Sequence, residues 1–293
     1  MKKLNILIGC LLYRNYTGSE MYVYELSKGL KDKGHNVSII SAHIDGPLSE
    51  ETKKLGIPVF NINSPPLNQN FDLIHSQHQP IVQKLLGLFP RTRMVCTIHS
   101  EVIAIENPII HPNIKKYIAI RPEIKNHIIQ NFFPLTDKQI EIIYNPIDEN
   151  RFNQLNVKNE GYVLFVGTID FLRKNTIFDL IQYTKNTSQE FIIVGKNYGN
   201  YLDKLLIEPH VKYFNETKDV EKFVKNCSET SGILMGRTTI EGWMCGKPGW
   251  IYNIDSNGNI LNKQLHQPPD KIEKFNRSNV IINLEKIYAE TIK

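Results

Sequence analysis

Apolar residues along the chain form short continuous runs, separated by stretches in which they recur every three or four positions. Runs at 4–9, 37–41, 58–61, 71–75, 94–99, 117–120 and 141–144 read as strands. Between the first two, Tyr22, Val23, Leu26 and Leu30 share one face of a helix over 19–34, and Gly34 supplies its stop. A second helical stretch covers 81–88. Unbroken apolar strands suit a parallel sheet covered on both faces. Their alternation with helices predicts βαβ units and a doubly wound sheet.

The pattern lapses at 154–161, where the chain reads Gln-Leu-Asn-Val-Lys-Asn-Glu-Gly, and then begins again. Runs at 162–166, 191–194, 211–214, 233–235 and 250–254 are strand-like, with helical segments at 177–184, 201–206, 220–227 and 239–245. Val280, Ile281, Leu284, Ile287 and Tyr288 then recur at helical spacing. The expected organisation is two α/β domains, 1–154 and 155–275, and a terminal helix in 276–293 docking back near the first domain. Lys2 and Lys3 ahead of an apolar run imitate a signal peptide. Asn5 interrupts that run and no small-x-small site follows, so it reads as the first strand. No apolar run approaches the ~20 residues of a membrane span.

Composition narrows the function. Hydrophobic residues make up 41% and charged residues 22% of 293 positions, which excludes a mostly disordered chain. The net charge of +5 is shared by both halves, without a basic stripe, so nucleic acid is not an expected partner. A mild positive balance suits an anionic small ligand. Lys28, Lys31, Lys33, Lys115, Lys116, Arg121 and Lys125 read as solvated cations, with weak contact to an anionic membrane surface as the alternative. The four cysteines show no Cys-x-x-Cys spacing, so buried reduced thiols and a cytoplasmic protein, soluble or peripheral at the inner membrane face, are expected. His75-Ser76-Gln77-His78 lacks a third ligand at metal spacing, and neither a metal nor a cofactor is expected.

In an open α/β sheet, ligands sit beyond the carboxyl ends of the strands. Tyr16-Thr17-Gly18-Ser19-Glu20 follows the first strand, with Gly18 beside a helix start and Ser19 a candidate cap. After the first strand of the second half comes Gly167-Thr168-Ile169-Asp170-Phe171-Leu172-Arg173-Lys174-Asn175. Two cations at a helix start oppose its dipole, unless an anionic ligand completes the site. Gly195 follows the next strand. Further on, Gly236-Arg237 precedes Thr238 and Thr239, either of which can cap a helix, leaving backbone N–H groups and Arg237 for phosphate. Glu241, one turn in, is placed for ribose hydroxyls or for simple complementation of the helix dipole.

Taken in order, these segments resemble the GT-B retaining glycosyltransferases, most closely family 4. Thr17-Gly18-Ser19-Glu20 with Gly34-His35 is similar to the family's first loop and helix. Asp72-Leu73-Ile74-His75, Thr97-Ile98-His99 and Ile143-Tyr144-Asn145-Pro146-Ile147-Asp148 with Arg151-Phe152 resemble further family segments. The Gly167…Lys174-Asn175 loop and the run from Gly236 to Pro248 resemble its donor motifs. The resemblance implies two Rossmann-like domains facing a central cleft. It implies metal-independent sugar transfer from a nucleotide sugar, UDP favoured over GDP, to a glycan, lipid-carrier or polysaccharide acceptor. Lys174 would neutralise the diphosphate, Glu241 hold the ribose and His99 contact the donor sugar. Gly18, Arg173, Gly195, Arg237, Thr238 and Thr239 would complete the donor site. Two departures stand out. Thr168 replaces the family's Arg, for which Arg173 or Arg237 would substitute, and Ile233 stands where the first Glu of Glu-x7-Glu belongs. A catalytically degenerate sugar-nucleotide binder and a nucleotide-sugar epimerase are the alternatives.

Overall fold

A computed structural model describes residues 2–199, 201 and 207–293. The helix expected at 201–206 falls mainly outside these residues. The chain separates into two compact units: residues 2–15, 19–146 and 277–293, and residues 16–18 and 147–276. The divisions fall at Pro146–Ile147 and at Asn276–Arg277.

In the first unit, β1 (Asn5–Leu12), β2 (Asn36–His43), β3 (Val59–Asn61), β4 (Leu73–Gln77), β5 (Met94–Ile98), β6 (Ile114–Ala119) and β7 (Ile140–Ile142) form one parallel sheet in the order 3-2-1-4-5-6-7. Four connecting helices are α1 (Gly18–Asp32), α2 (Pro47–Lys54), α3 (Gln79–Leu88) and α4 (Pro122–Asn131). Gly34 ends α1 as expected. Its φ is +90°, the Gly34 N–H bonds to the Lys31 carbonyl at 2.8 Å, and the His35 N–H reaches back to the Leu30 carbonyl at 3.2 Å. Two helices were not legible in the hydrophobic pattern, α2 and α4. Both are short, and each is opened by a proline at its first helical position, Pro47 and Pro122.

In the second unit, β8 (Val163–Val166), β9 (Phe191–Val194), β10 (Val211–Phe214), β11 (Glu229–Ile233), β12 (Gly249–Ile254) and β13 (Ile260–His266) lie in the order 10-9-8-11-12-13. Described helices are α5 (Lys174–Asn186), α6 (Val220–Asn226) and α7 (Arg237–Met244). Phe165, Ile177, Leu180, Phe191, Ile193 and Tyr252 pack into one core. The sheet departs from an all-parallel expectation at β13, which pairs antiparallel with β12. Asn262, Lys263 and Gln264 give that strand no apolar run, and it lies exposed at the edge.

In each sheet the first strand lies inside, and the strand order reverses beside it. The switch points fall between β1 and β4 and between β8 and β11. Gly9 and Gly195 show how closely the chain packs there. A Cβ on Gly9 would stand 2.4 Å from Leu85, and one on Gly195 would stand 1.9 Å from the Gly167 carbonyl oxygen.

The last helix, α8 (Arg277–Thr291), is built into the first unit. Gly29 of α1 admits Ile281 so closely that a Cβ would lie 2.6 Å from it. Arg277 donates to Glu25 at 2.6 Å, His35 Nε2 pairs with Glu285 at 3.1 Å, and Arg93 donates to the Thr291 carbonyl at 2.9 Å. At the centre the Tyr288 hydroxyl meets His75 Nδ1 at 2.5 Å, while His75 Nε2 meets Thr97 Oγ1 at 2.6 Å. The Tyr22 hydroxyl joins Thr97 Oγ1 at 3.0 Å. All four side chains are buried. Tyr288→Phe leaves a buried imidazole nitrogen without a partner, at a cost of about 1–3 kcal/mol. Amide exchange in α8 is then expected to accelerate by about 5- to 150-fold, the same energy expressed as local opening. Unchanged protection would contradict this role.

Candidate functional site

The residues beyond β8, β9 and β11 meet at the switch point of the second sheet. Asp170 organises the first of these loops. Its carboxylate accepts the Thr168 hydroxyl at 2.9 Å, the Arg173 N–H at 3.0 Å and the Arg173 guanidinium. The loops after β8 and β9 are then laced together. The Ile169 N–H bonds to the Lys196 carbonyl and the Tyr198 N–H to the Ile169 carbonyl, each at 2.8 Å. Lys174, the first residue of α5, lays its ammonium over the Phe171 ring, 4.2 Å from the centroid. Among the described residues it makes no ion pair.

Two of the three cations are committed to carboxylates. Arg173 is held by Asp170, and Arg237 Nε donates to Glu241 at 2.6 Å within α7. Both members of the second pair are nearly buried. Glu241 therefore supports Arg237 one turn along the helix, beyond complementing the helix dipole. The expected capping by Thr238 or Thr239 is corrected: Gly236 is the N-cap, with no side-chain hydrogen bond. The Thr238 hydroxyl instead donates to the Val166 carbonyl at 3.2 Å, tying α7 to the end of β8. Thr239 is fully buried, with its methyl group where a Cβ on Gly249 would come within 2.9 Å. Gly242 approaches Thr230 as closely, so small residues seat α7 on the sheet. Ile233, at the position of the missing carboxylate, is the last residue of β11 and packs against the apolar core.

A second constellation lies at the switch point of the first sheet. Residues two apart on a strand share a face, which places His75 and Gln77 of β4 beside Thr97 and His99 of β5 and its continuation. Gln77 Nε2 donates to the Ser19 carbonyl at 3.1 Å, and His99 Nε2 stands 2.5 Å from Gln77 Oε1. Glu106 is buried. It takes the His99 backbone N–H at 3.1 Å and lies 3.3 Å from His78 Nε2. His78 Nδ1 accepts the Leu11 N–H at 3.2 Å, so the proton sits on Nε2, facing Glu106. His78 also carries φ +66° at the N-cap of α3, a conformation non-glycine residues rarely adopt. Burial acts to raise the Glu106 carboxyl, but the His78 hydrogen bond, the neighbouring His99 and His78 rings and the His99 N–H outweigh it and hold it below the usual range. Glu20 stabilises the loop after β1 by accepting the backbone N–H groups of Arg14, at 2.7 Å, and Asn15, at 3.1 Å. Gly18 opens α1, and nothing lies within 4 Å of where its Cβ would stand.

Sequence reasoning missed Asp170, Phe171, Gln77 and Glu106. Asp170 and Phe171 stand inside the loop already singled out. Gln77 stands within the histidine run that was weighed as a metal site. Glu106 carries no signal of its own.

Residues 16–151 match the profile of Glycosyltransferase Family 4. That match falls almost wholly within the first unit. The chain as a whole has the GT-B fold, seen in its solved neighbours. A glycosyltransferase from Rickettsia africae ESF-5 is 16% identical, with both chains fully covered and a TM-score of 0.71. Anabaena Alr3699/HepE, solved with UDP-glucose, is 18% identical over 99% of each chain, with a TM-score of 0.69. AviGT4, a glycosyltransferase involved in avilamycin A biosynthesis, is 13% identical over 99% of this chain and 98% of its own, at 0.68. No curated protein matches the chain. Among the described residues no helix is long and apolar enough to cross a membrane.

Two histidines of the first unit, His75 and His99, are held neutral. Burial pushes His75 down to about 3, with the nearby His99 adding to the effect. Burial likewise pushes His99 down to about 4, opposed by the Glu106 carboxylate and helped by the neighbouring His78 ring and the Arg121 guanidinium. A histidine neutral when folded takes up a proton on unfolding, so its contribution to stability is complete above about pH 6.5 and is lost as pH falls toward 3. The His75 ring resonances are expected to remain those of neutral imidazole from pH 7.5 to 4.5. A titration midpoint near 6.5 would contradict the buried network.

Proposed function

We propose that the protein transfers a sugar from a nucleotide donor, UDP-sugar in preference to GDP-sugar, to a glycan, lipid-carrier or polysaccharide acceptor, with retention and without a metal. One observation carries this reading. Three cations, a buried carboxylate and the N-termini of α5 and α7 are gathered at the switch point between β8 and β11. Two helix dipoles and fixed cations favour a diphosphate there and stabilise the charge that develops on it as the sugar leaves. Lys174 is assigned to the diphosphate, because an ammonium resting on an aromatic face gives up only about 0.5–1 kcal/mol to leave it. Arg173 and Arg237, oriented by Asp170 and Glu241, supply further positive charge. Glu241 is assigned to the ribose as well as to Arg237. His99 is assigned to a hydroxyl of the donor sugar. The UDP preference rests on family resemblance, supported by a structural neighbour solved with UDP-glucose.

A second reading, nucleotide-sugar binding without transfer, draws on two features: both arginines hold carboxylates, and Ile233 replaces the first glutamate. Turnover separates the two. With a panel of nucleotide sugars and a broad set of acceptors, released nucleoside diphosphate is measured for the wild type, Lys174→Ala and Glu241→Gln. Each variant is expected to fall by about 10²–10³ in turnover. Near-normal rates in both would remove the mechanism. Binding by the wild type without release, across the whole panel, would establish the second reading.

A further inference from the structure

Gln77 has no role in the donor chemistry described so far, yet it is buried in contact with His99. Its two hydrogen bonds determine which end of its amide faces the histidine. The Ser19 carbonyl is an acceptor only, so the group meeting it at 3.1 Å is the Gln77 NH2. The other end of the amide, Oε1, is also an acceptor only. It stands 2.5 Å from His99 Nε2, and so that nitrogen carries a proton. A neutral imidazole has a single N–H. His99 is held neutral by its surroundings. Its Nδ1 is therefore a bare lone pair, and among the described residues it has no hydrogen-bond partner.

The ring is fixed on its faces as well. Tyr22 meets it edge-on at 4.8 Å and 85°, and His78 stacks at 6.1 Å and 29°. Tyr22 is itself tied to Thr97 through its hydroxyl. The imidazole thus has a set orientation, and the amide sets which of its nitrogens is the acceptor.

We infer that Gln77 is a positioning residue that locks His99 as its Nε2–H tautomer, so that Nδ1 accepts a hydrogen bond from a substrate hydroxyl. The identity of that hydroxyl rests on the transfer reading above. The tautomer lock does not. The lock also sets a selectivity: the histidine accepts, so a substrate presenting an ether or carbonyl oxygen at that point gains nothing from it, whereas one presenting O–H does.

The test is a two-bond proton–nitrogen correlation spectrum of uniformly 15N-labelled protein without substrate, at neutral pH. The wild type is expected to show His99 wholly as the Nε2–H form. A wild type with the proton on Nδ1, or with a mixture, would overturn the inference without any variant. Gln77→Met removes the acceptor and is expected to give a tautomer mixture. An unchanged pattern in Gln77→Met would overturn the lock. In turnover with a nucleotide sugar, Gln77→Met is expected to lose about tenfold or more in kcat. A changed tautomer with unchanged kcat and KM would overturn the positioning role. The spectra need no active enzyme, so the lock stands or falls separately from the transfer reading, which fails instead if wild-type protein releases no nucleotide.

Discussion

Parallel strands buried on both faces can present chemistry only where they stop. Their backbone groups are committed to the ladder and their side chains to the core, so polar function is confined to the turns beyond the carboxyl ends. Both sheets of this chain obey that constraint. In each, the first strand lies inside the sheet and the order reverses beside it. That reversal sends successive connections to opposite faces and leaves a place where helix N-termini converge. In the second unit this place collects Lys174, Arg173, Arg237 and Glu241; in the first, the histidines, Gln77 and Glu106.

The two switch points differ in their electrostatics. The second unit keeps fixed charge. Asp170 and Glu241 hold two guanidiniums in place, which lowers the reorganisation needed when an anion arrives. The first unit keeps His75 and His99 neutral. Burial holds His75 and His99 unprotonated, and the chain Tyr288–His75–Thr97–Tyr22 satisfies the central ring from both sides. Without α8 that ring would have a buried nitrogen and no partner. The last helix therefore belongs to the polar interior of the first unit as much as to its apolar packing. A cationic site suits a diphosphate, and a neutral histidine of fixed tautomer suits a hydroxyl.

Much of this was legible in the chain, for physical reasons that also mark where legibility ends. Strands such as 163–166 and 191–194 are unbroken apolar runs, and only a doubly covered sheet accommodates them. Gly34 announced a helix stop because few other residues adopt its φ. The loops after β8 and β11 showed their glycines and cations in sequence. What the chain concealed was pairing at a distance. Nothing near Glu106 marks it as the partner of His78 and of the His99 backbone, 28 and 7 positions away. Tyr288 read as one apolar position among five, and its hydroxyl acquires meaning only against His75. Thr238 and Thr239 were sound capping candidates by type. The tight seating of α7 on the sheet turned one toward Val166 and buried the other. β13 escaped because an exposed edge strand needs no apolar run.

The central claim is that the second unit holds a nucleoside diphosphate at the β8/β11 switch point. Hydrogen exchange followed by mass spectrometry, with and without saturating UDP, tests it most directly. The account predicts slowed exchange confined to amides around 167–175 and 236–241, with β13 unaffected. Absence of protection there with UDP, GDP, ADP and dTDP alike, or protection appearing only elsewhere in the chain, would contradict it.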